Sequence, residues 1–160
     1  MLKNISSRMF GALGASLIGL AVPVHAQQPM ELEGDVKVVK LTIAADGSRL
    51  EELVPPDVVV PGDRLVFSTS YRNAGSDPVA DFVVSNPLHE AVQLAGDADP
   101  TLTVSVDGGQ TWGRIAELRV AGDDGADRAA RPEDVTHIRW TLAKVGPGES
   151  GRLEYPAIIR

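Results

Sequence analysis

From Val36 onward the chain is written in short runs in which apolar and polar positions alternate, each closed by glycine, proline, asparagine or aspartate. A period of two predicts strands with one buried and one wet face. Val36 to Ile43 reads as the first, with Lys37, Val39, Leu41 and Ile43 sharing a face. Leu50 to Val54 reads as a short strand or an extended connection, broken by Pro55-Pro56, and Val58 to Val60 leads into the turn Pro61-Gly62-Asp63. Leu65, Phe67, Thr69 and Tyr71 then alternate against Val66, Ser68, Ser70 and Arg72. A loop at Asn73-Ala74-Gly75-Ser76-Asp77 precedes a strand from Val79 to Ser85, with Ala80, Phe82 and Val84 on one side. Asn86-Pro87 stops that strand, because proline offers no ladder donor.

The second half continues the pattern. Leu88 to Leu94 reads as extended, Thr101 to Val106 as a strand, and Leu118 with Val120 as a short one. The segment from Ala121 to Asp134 is the longest polar interruption and the expected place of mobility. Strands resume at Val135 to Leu142, with Ile138, Trp140 and Leu142 on one face, and close at Gly151 to Arg160. This predicts seven to nine strands at spacings of about ten residues. One open sheet cannot bury all their apolar faces, so two packed antiparallel sheets are expected. No linker divides the run, and residues 36–160 are expected to form one domain after a flexible start at residues 27–35.

The first 26 residues read differently. Lys3 and Arg8 precede an apolar stretch from Met9 to Val22, and Val24-His25-Ala26 has the small-x-small form of a cleavage site. This predicts an exported protein, periplasmic or extracellular, beginning at Gln27. The apolar run is short for a span of about 20 residues and contains glycines, so stable transmembrane insertion is not expected. Cysteine is absent, so stability is expected from apolar burial and sheet hydrogen bonds. The formal net charge is -7, and because residues 1–26 hold two basic and no acidic residues, the chain from Gln27 carries -9. An acidic surface without a basic patch argues against nucleic acid or an anionic membrane as a partner.

The order Pro61-Gly62-Asp63, alternating strand, Asn73-Ala74-Gly75, alternating strand, Asn86-Pro87-Leu88 resembles a segment of the conserved-repeat domain called domain of unknown function 11. Val145-Gly146-Pro147-Gly148-Glu149-Ser150 is similar to that family's turn before its last strand. The resemblance covers roughly residues 54–160. It implies an all-β fold, an immunoglobulin-like or fibronectin-like β-sandwich, found in secreted and cell-surface proteins as spacer, stalk or adhesive module. No catalytic set comes with it. Here the motif occurs as a single copy, which favours a module of a surface assembly over a spacer.

Two local patterns carry candidate chemistry. Ser105-Val106-Asp107-Gly108-Gly109-Gln110-Thr111-Trp112 resembles the Asp-box of sialidases and other β-propellers, whose role there is structural. Asp107 is expected to accept loop N–H groups, Gly108 and Gly109 to adopt positive φ, and Trp112 to fold over the turn. A carbohydrate-facing loop at Asp107 and Trp112 is the functional alternative. Asp97 and Asp99 lie in one acidic loop, and Asp123, Asp124 and Asp127 in another, so calcium is the one cofactor the sequence suggests. The spacing does not fit a helix-loop-helix calcium site: counted from Asp123, the glycine position holds Arg128 and the closing position Asp134.

His89 and His137 have no metal-ligand spacing, and no Gly-x-Ser-x-Gly elbow is present. Pro61, Gly62, Asp63, Asn73, Gly75, Asn86, Pro87, Asp107 and Gly109 are expected to be turn residues. The first expectation is thus a noncatalytic exported structural or interaction module of the bacterial envelope or surface, meeting another envelope protein or a second copy. A glycan- or calcium-binding module is the alternative, and a small hydrolase the third.

Overall fold

The molecule, a computed structural model describing residues 29–122 and 125–160, is organised around the alternating run at its centre. The leader read at residues 1–26 lies outside the described residues, as do Asp123 and Asp124. The central run forms β3 (Arg64–Asn73), flanked by β1 (Met30–Ile43) and β10 (Ser150–Ile159), all antiparallel. β2 (Arg49–Val54) pairs with the far half of β1, and β5 (Val92–Leu94) closes the other edge, giving the order β2-β1-β3-β10-β5. Opposite lies a three-stranded sheet in which β9 (His137–Val145) sits between β4 (Val79–Pro87) and β6 (Thr103–Ser105). A ribbon of β7 (Arg119–Ala121) and β8 (Asp127–Ala129) completes an immunoglobulin-like or fibronectin-like β-sandwich.

Strand register decides which side chains meet. One inner row is Val38, Leu65 and Ala157, and the next is Val36, Phe67 and Tyr155. They face Val104 and Ile138 of the smaller sheet, and all but the half-buried Val36 and Phe67 lie in the buried core. Phe67 and Tyr155 stack with centroids 5.1 Å apart, and Tyr155 meets Trp140 of the opposite sheet at 6.1 Å. Such aromatic pairs contribute about 0.5–1.5 kcal/mol beyond their burial. The outer rows are polar in contrast: Glu31 stands beside Arg72, and Ser70 stands between Glu33 and Arg152.

Two boundaries depart from the sequence reading. β1 begins at Met30, not Val36, so residues 30–35 are paired strand instead of a flexible start. Met30-Glu31-Leu32-Glu33 already alternates, and its glutamates suit the outer face of an edge segment. The core takes Val36 and Val38, so the face shared by Lys37, Val39, Leu41 and Ile43 is the outer one. The polar interruption after Ala121 also holds structure: β8 pairs with β7, and Arg128 grips Asp134 through two bonds of 2.6 and 2.7 Å. With β8 the strands among the described residues number ten.

The turn residues act at long range. Asn73 is fully buried; its side-chain amide donates to the carbonyls of Asp77 and Val145, at 2.8 and 3.0 Å, and its Oδ1 accepts the Gly75 N–H. Its backbone N–H donates to Glu149 O, and its carbonyl accepts from Gly148 N. The Asn73-Ala74-Gly75 loop and the turn before β10 are therefore one hydrogen-bonded unit. At the opposite end Gly62, at φ +94, donates to Ile159 O, and Asp63 Oδ2 accepts the Val60 N–H. Asn86 and Pro87 differ from the expectation: both lie in β4, and Asn86 Nδ2 crosses between the sheets to Thr69 Oγ1 at 2.8 Å.

Replacing Asn73 by alanine leaves two carbonyls short of a donor, each costing about 1–3 kcal/mol when buried. Urea unfolding of Asn73→Ala should show a loss of about 2–4 kcal/mol with an unchanged m-value; a loss below about 1 kcal/mol would mean that water replaces the amide.

Candidate functional site

The loop after β6 is built by two short side chains. Ser105, fully buried, donates from Oγ to Asp107 Oδ1 at 2.7 Å and accepts the N–H groups of Gly109 and Asp107 at 2.9 and 3.3 Å. Asp107 Oδ1 also accepts the N–H groups of Gln110 and Thr111 at 3.0 and 2.9 Å. Gly108 and Gly109 carry φ of +76 and +88, the left-handed region that lets consecutive N–H groups turn inward. The Thr111 N–H first, then the Ser105 hydroxyl, hold the Asp107 carboxyl far below the usual carboxylate range. The loop thus has the bonds expected of Asp107 and the positive φ expected of Gly108 and Gly109.

Trp112 closes the loop. Its indole N–H donates to Gly109 O at 2.8 Å, and the Arg139 guanidinium lies 3.7 Å from its ring centroid. Arg139 Nε is buried with no hydrogen-bond partner, so the ring's negative face is its compensation. With one face occupied and its donor used, Trp112 is half-buried packing on the outer side of the smaller sheet.

The other candidates are scattered. Asp97 accepts both terminal nitrogens of Arg64 at 2.9 and 3.0 Å, and Asp99 accepts Thr101 N and Oγ1 at 2.8 and 2.7 Å. Asp127 lies exposed in β8, and Asp123 and Asp124 are outside the described residues. Among the described residues no group of three or more histidine or acidic side chains is placed to hold a metal ion. His137 stands opposite Ser105 in the β6–β9 register, yet its Nδ1 lies 3.1 Å from Thr136 Oγ1, and the Ser105 proton points to Asp107. A serine nucleophile needs the reverse order, serine to imidazole to carboxylate. His89 uses its Nδ1 to accept the Ala91 N–H in an exposed turn.

A feature that no motif announces lies between the sheets. Five strands face three, and the smaller sheet ends at β4 over β3, where Asn86 meets Thr69. β1 therefore overhangs. Leu32, on its inner face, is 50% exposed, and nothing lies within 4 Å of where a Gly34 Cβ would stand. The space is a groove of about 480 Å³ lined by Val36, Phe67, Thr69, Asn86, Pro87 and Tyr155 among others. Burial pushes the Tyr155 phenol up to about 12, so its hydroxyl keeps its proton well into the alkaline range. β4 is an end strand, and along residues 30–37 β1 pairs with β3 alone, so two free strand edges border the groove. Strand order is a tertiary property, and neither alternation nor turn chemistry encodes which strand stands opposite which.

No family model, no curated protein and no solved structure matches the chain. The fold class therefore rests on the sheets themselves. Among the described residues no helix is long and apolar enough to cross a membrane.

The hydrogen bonds on Asp107 set an acid dependence. Its folded pKa is depressed, so the stability it contributes is present above the unfolded value, about 4, and is lost as pH falls through the lower folded value. The difference in melting temperature between the wild type and Asp107→Asn should be full at neutral pH and shrink steadily in acid below about pH 4; a difference that is flat with pH would remove the carboxylate from this role.

Proposed function

We propose that the chain is a noncatalytic exported structural or protein-interaction module of the bacterial envelope or surface, and that it accepts an extended segment of another protein beside β4. The observation that carries this reading is the vacant strand position opposite β1. A strand laid there would take main-chain hydrogen bonds from the free edge of β4 and lower alternate apolar side chains onto Val36, Phe67 and the exposed Leu32. Its outward side chains would be polar. The order of turn motifs over residues 54–160, which resembles the conserved-repeat domain of surface proteins, supports the same class of role, and the leader read at residues 1–26 supports export.

The absence of catalysis is part of the proposal. It is supported by the Ser105 hydroxyl being spent within its own loop and by the His89 Nδ1 being taken up by the Ala91 N–H. No cofactor is required by this reading.

Gly34 offers a clean test, since an added side chain meets nothing of its own chain and would fill the groove from below. A photo-crosslinking residue at the exposed Ser85 on β4 should form a discrete adduct with another envelope protein in cells. Gly34→Ile should lower the yield roughly tenfold or more while leaving the melting temperature unchanged or raised. No adduct, or one indifferent to Gly34→Ile, would remove the groove as a binding site.

A further inference from the structure

The far half of β1 leaves the sandwich. Beyond Val38 it pairs with β2 alone, forming a two-stranded arm whose tip is the Asp46-Gly47 turn, with Gly47 at φ +82 and Ala44 N bonded to Ser48 O at 2.9 Å. A ribbon of two strands is marginal in water without a third layer. The two faces of this one differ. Residues directly opposite in an antiparallel pair share a face, so Lys40 stands beside Glu52 and Thr42 beside Leu50 on one side. The other side carries Val39 beside Leu53, Leu41 beside Glu51 and Ile43 beside Arg49. Leu41, Ile43 and Leu53 are exposed by 64, 62 and 51%. This is the outer face of the five-stranded sheet, and it changes from charged to apolar where the strand leaves the sandwich: Glu31, Glu33, Asp35 and Lys37 precede Val39, Leu41 and Ile43.

We propose that this apolar arm face is the contact of a two-fold dimer, in which it packs on the same face of a second copy. Two observations select a second copy as the occupant. First, the face is self-complementary in charge. It carries one cation, Arg49, and one anion, Glu51, and neither forms an ion pair with another described residue. A two-fold axis running across the strands, midway between the Leu41–Glu51 and Ile43–Arg49 rows, sets Leu41 over the partner's Ile43. The same rotation sets Arg49 over the partner's Glu51. One operation thus satisfies Leu41, Ile43 and both charged residues together, as an isologous contact requires.

Second, the arm is a place where an acidic protein can approach itself with little repulsion. Residues 38–54 hold two basic and three acidic side chains, while the whole chain has 15 basic and 22 acidic. Stacked face to face at about 10 Å, two such ribbons give each other the layer that each lacks. The contact is small, so the dimer is a weak one that forms with rising concentration.

Light scattering after size exclusion, over the micromolar range, should show a concentration-dependent dimer of the processed chain. Leu41→Glu, outside the core and free to fold, should weaken it by about tenfold or more. Arg49→Glu and Glu51→Arg should each weaken it, and the double exchange should recover most of the loss. Gly34→Ile should leave it unchanged, which separates this contact from occupation of the groove. A monomer at every concentration, a dimer indifferent to Leu41→Glu, or a double exchange no better than either single change would overturn the proposal. A dimer abolished by Gly34→Ile alone would move the contact to the groove and also overturn it.

Discussion

The register of β1, β3 and β10 is the constraint to which the rest of the molecule is referred. It sets Val38, Leu65 and Ala157 in one row and Val36, Phe67 and Tyr155 in the next. A slip of one residue in any of the three would send its core side chains to the solvent face, because strand side chains alternate with a period of two. Both ends of the register are pinned by backbone hydrogen bonds from turns. At one end Asn73 and Glu149 join the close of β3 to the start of β10, and at the other Gly62 and Asp63 bond Ile159. The glycines, proline and asparagine of these turns hold the strands in step, and so decide which residues become core.

How much of this was legible follows from the range of each interaction. β3 could be read almost to its ends, because alternation from Leu65 to Arg72 and its flanking turns are local signals. The Ser105–Trp112 hairpin was legible for the same reason: its hydrogen bonds span only a few residues. Arg139 over Trp112 was not, since the two come together only through the pairing of β6 with β9 and the bridge from Val104 to Gly113. Asn86 read as a strand stop because Asn-Pro is turn chemistry. In the structure Pro87 is the last residue of an end strand, where a missing donor costs nothing, and Asn86 serves the opposite sheet. The β1–β2 hairpin did have a local signal in Asp46-Gly47, a favoured tight-turn pair.

Several acidic side chains of the described loops are committed to fixed donors. Asp63, Asp99 and Asp107 each turn an oxygen onto N–H groups within four residues, and Asp97 and Asp134 are gripped by arginines. A carboxylate whose lone pairs are committed to fixed donors would have to give them up to bind calcium, whose shell takes six to eight oxygens. In Asp134 the Arg128 guanidinium is the main reason that its carboxyl lies below the ordinary range. Such residues stabilise loops by replacing water with donors that are already in place, which is the work expected of aspartate in a protein without cysteine.

The groove and the arm have one cause, the length of β1. Its 14 residues exceed what the sandwich covers. The first half overhangs the three-stranded sheet and leaves Leu32 and Gly34 without an opposing strand, while the second half runs past the sandwich with only β2 beside it. Shortening β1 to the residues around Val36 and Val38 would keep both apolar rows of the core, while taking away Met30 beside the buried Asn73 and the Pro29 carbonyl that accepts the Ala74 N–H. Apolar side chains held in water on an ordered strand cost conformational entropy without the compensation of burial. That loss is recovered only when another layer covers them. Both proposed contacts follow from that one feature: a strand that outruns its own core at both ends, with apolar residues on the parts left bare, offers surface on which a further layer can pack.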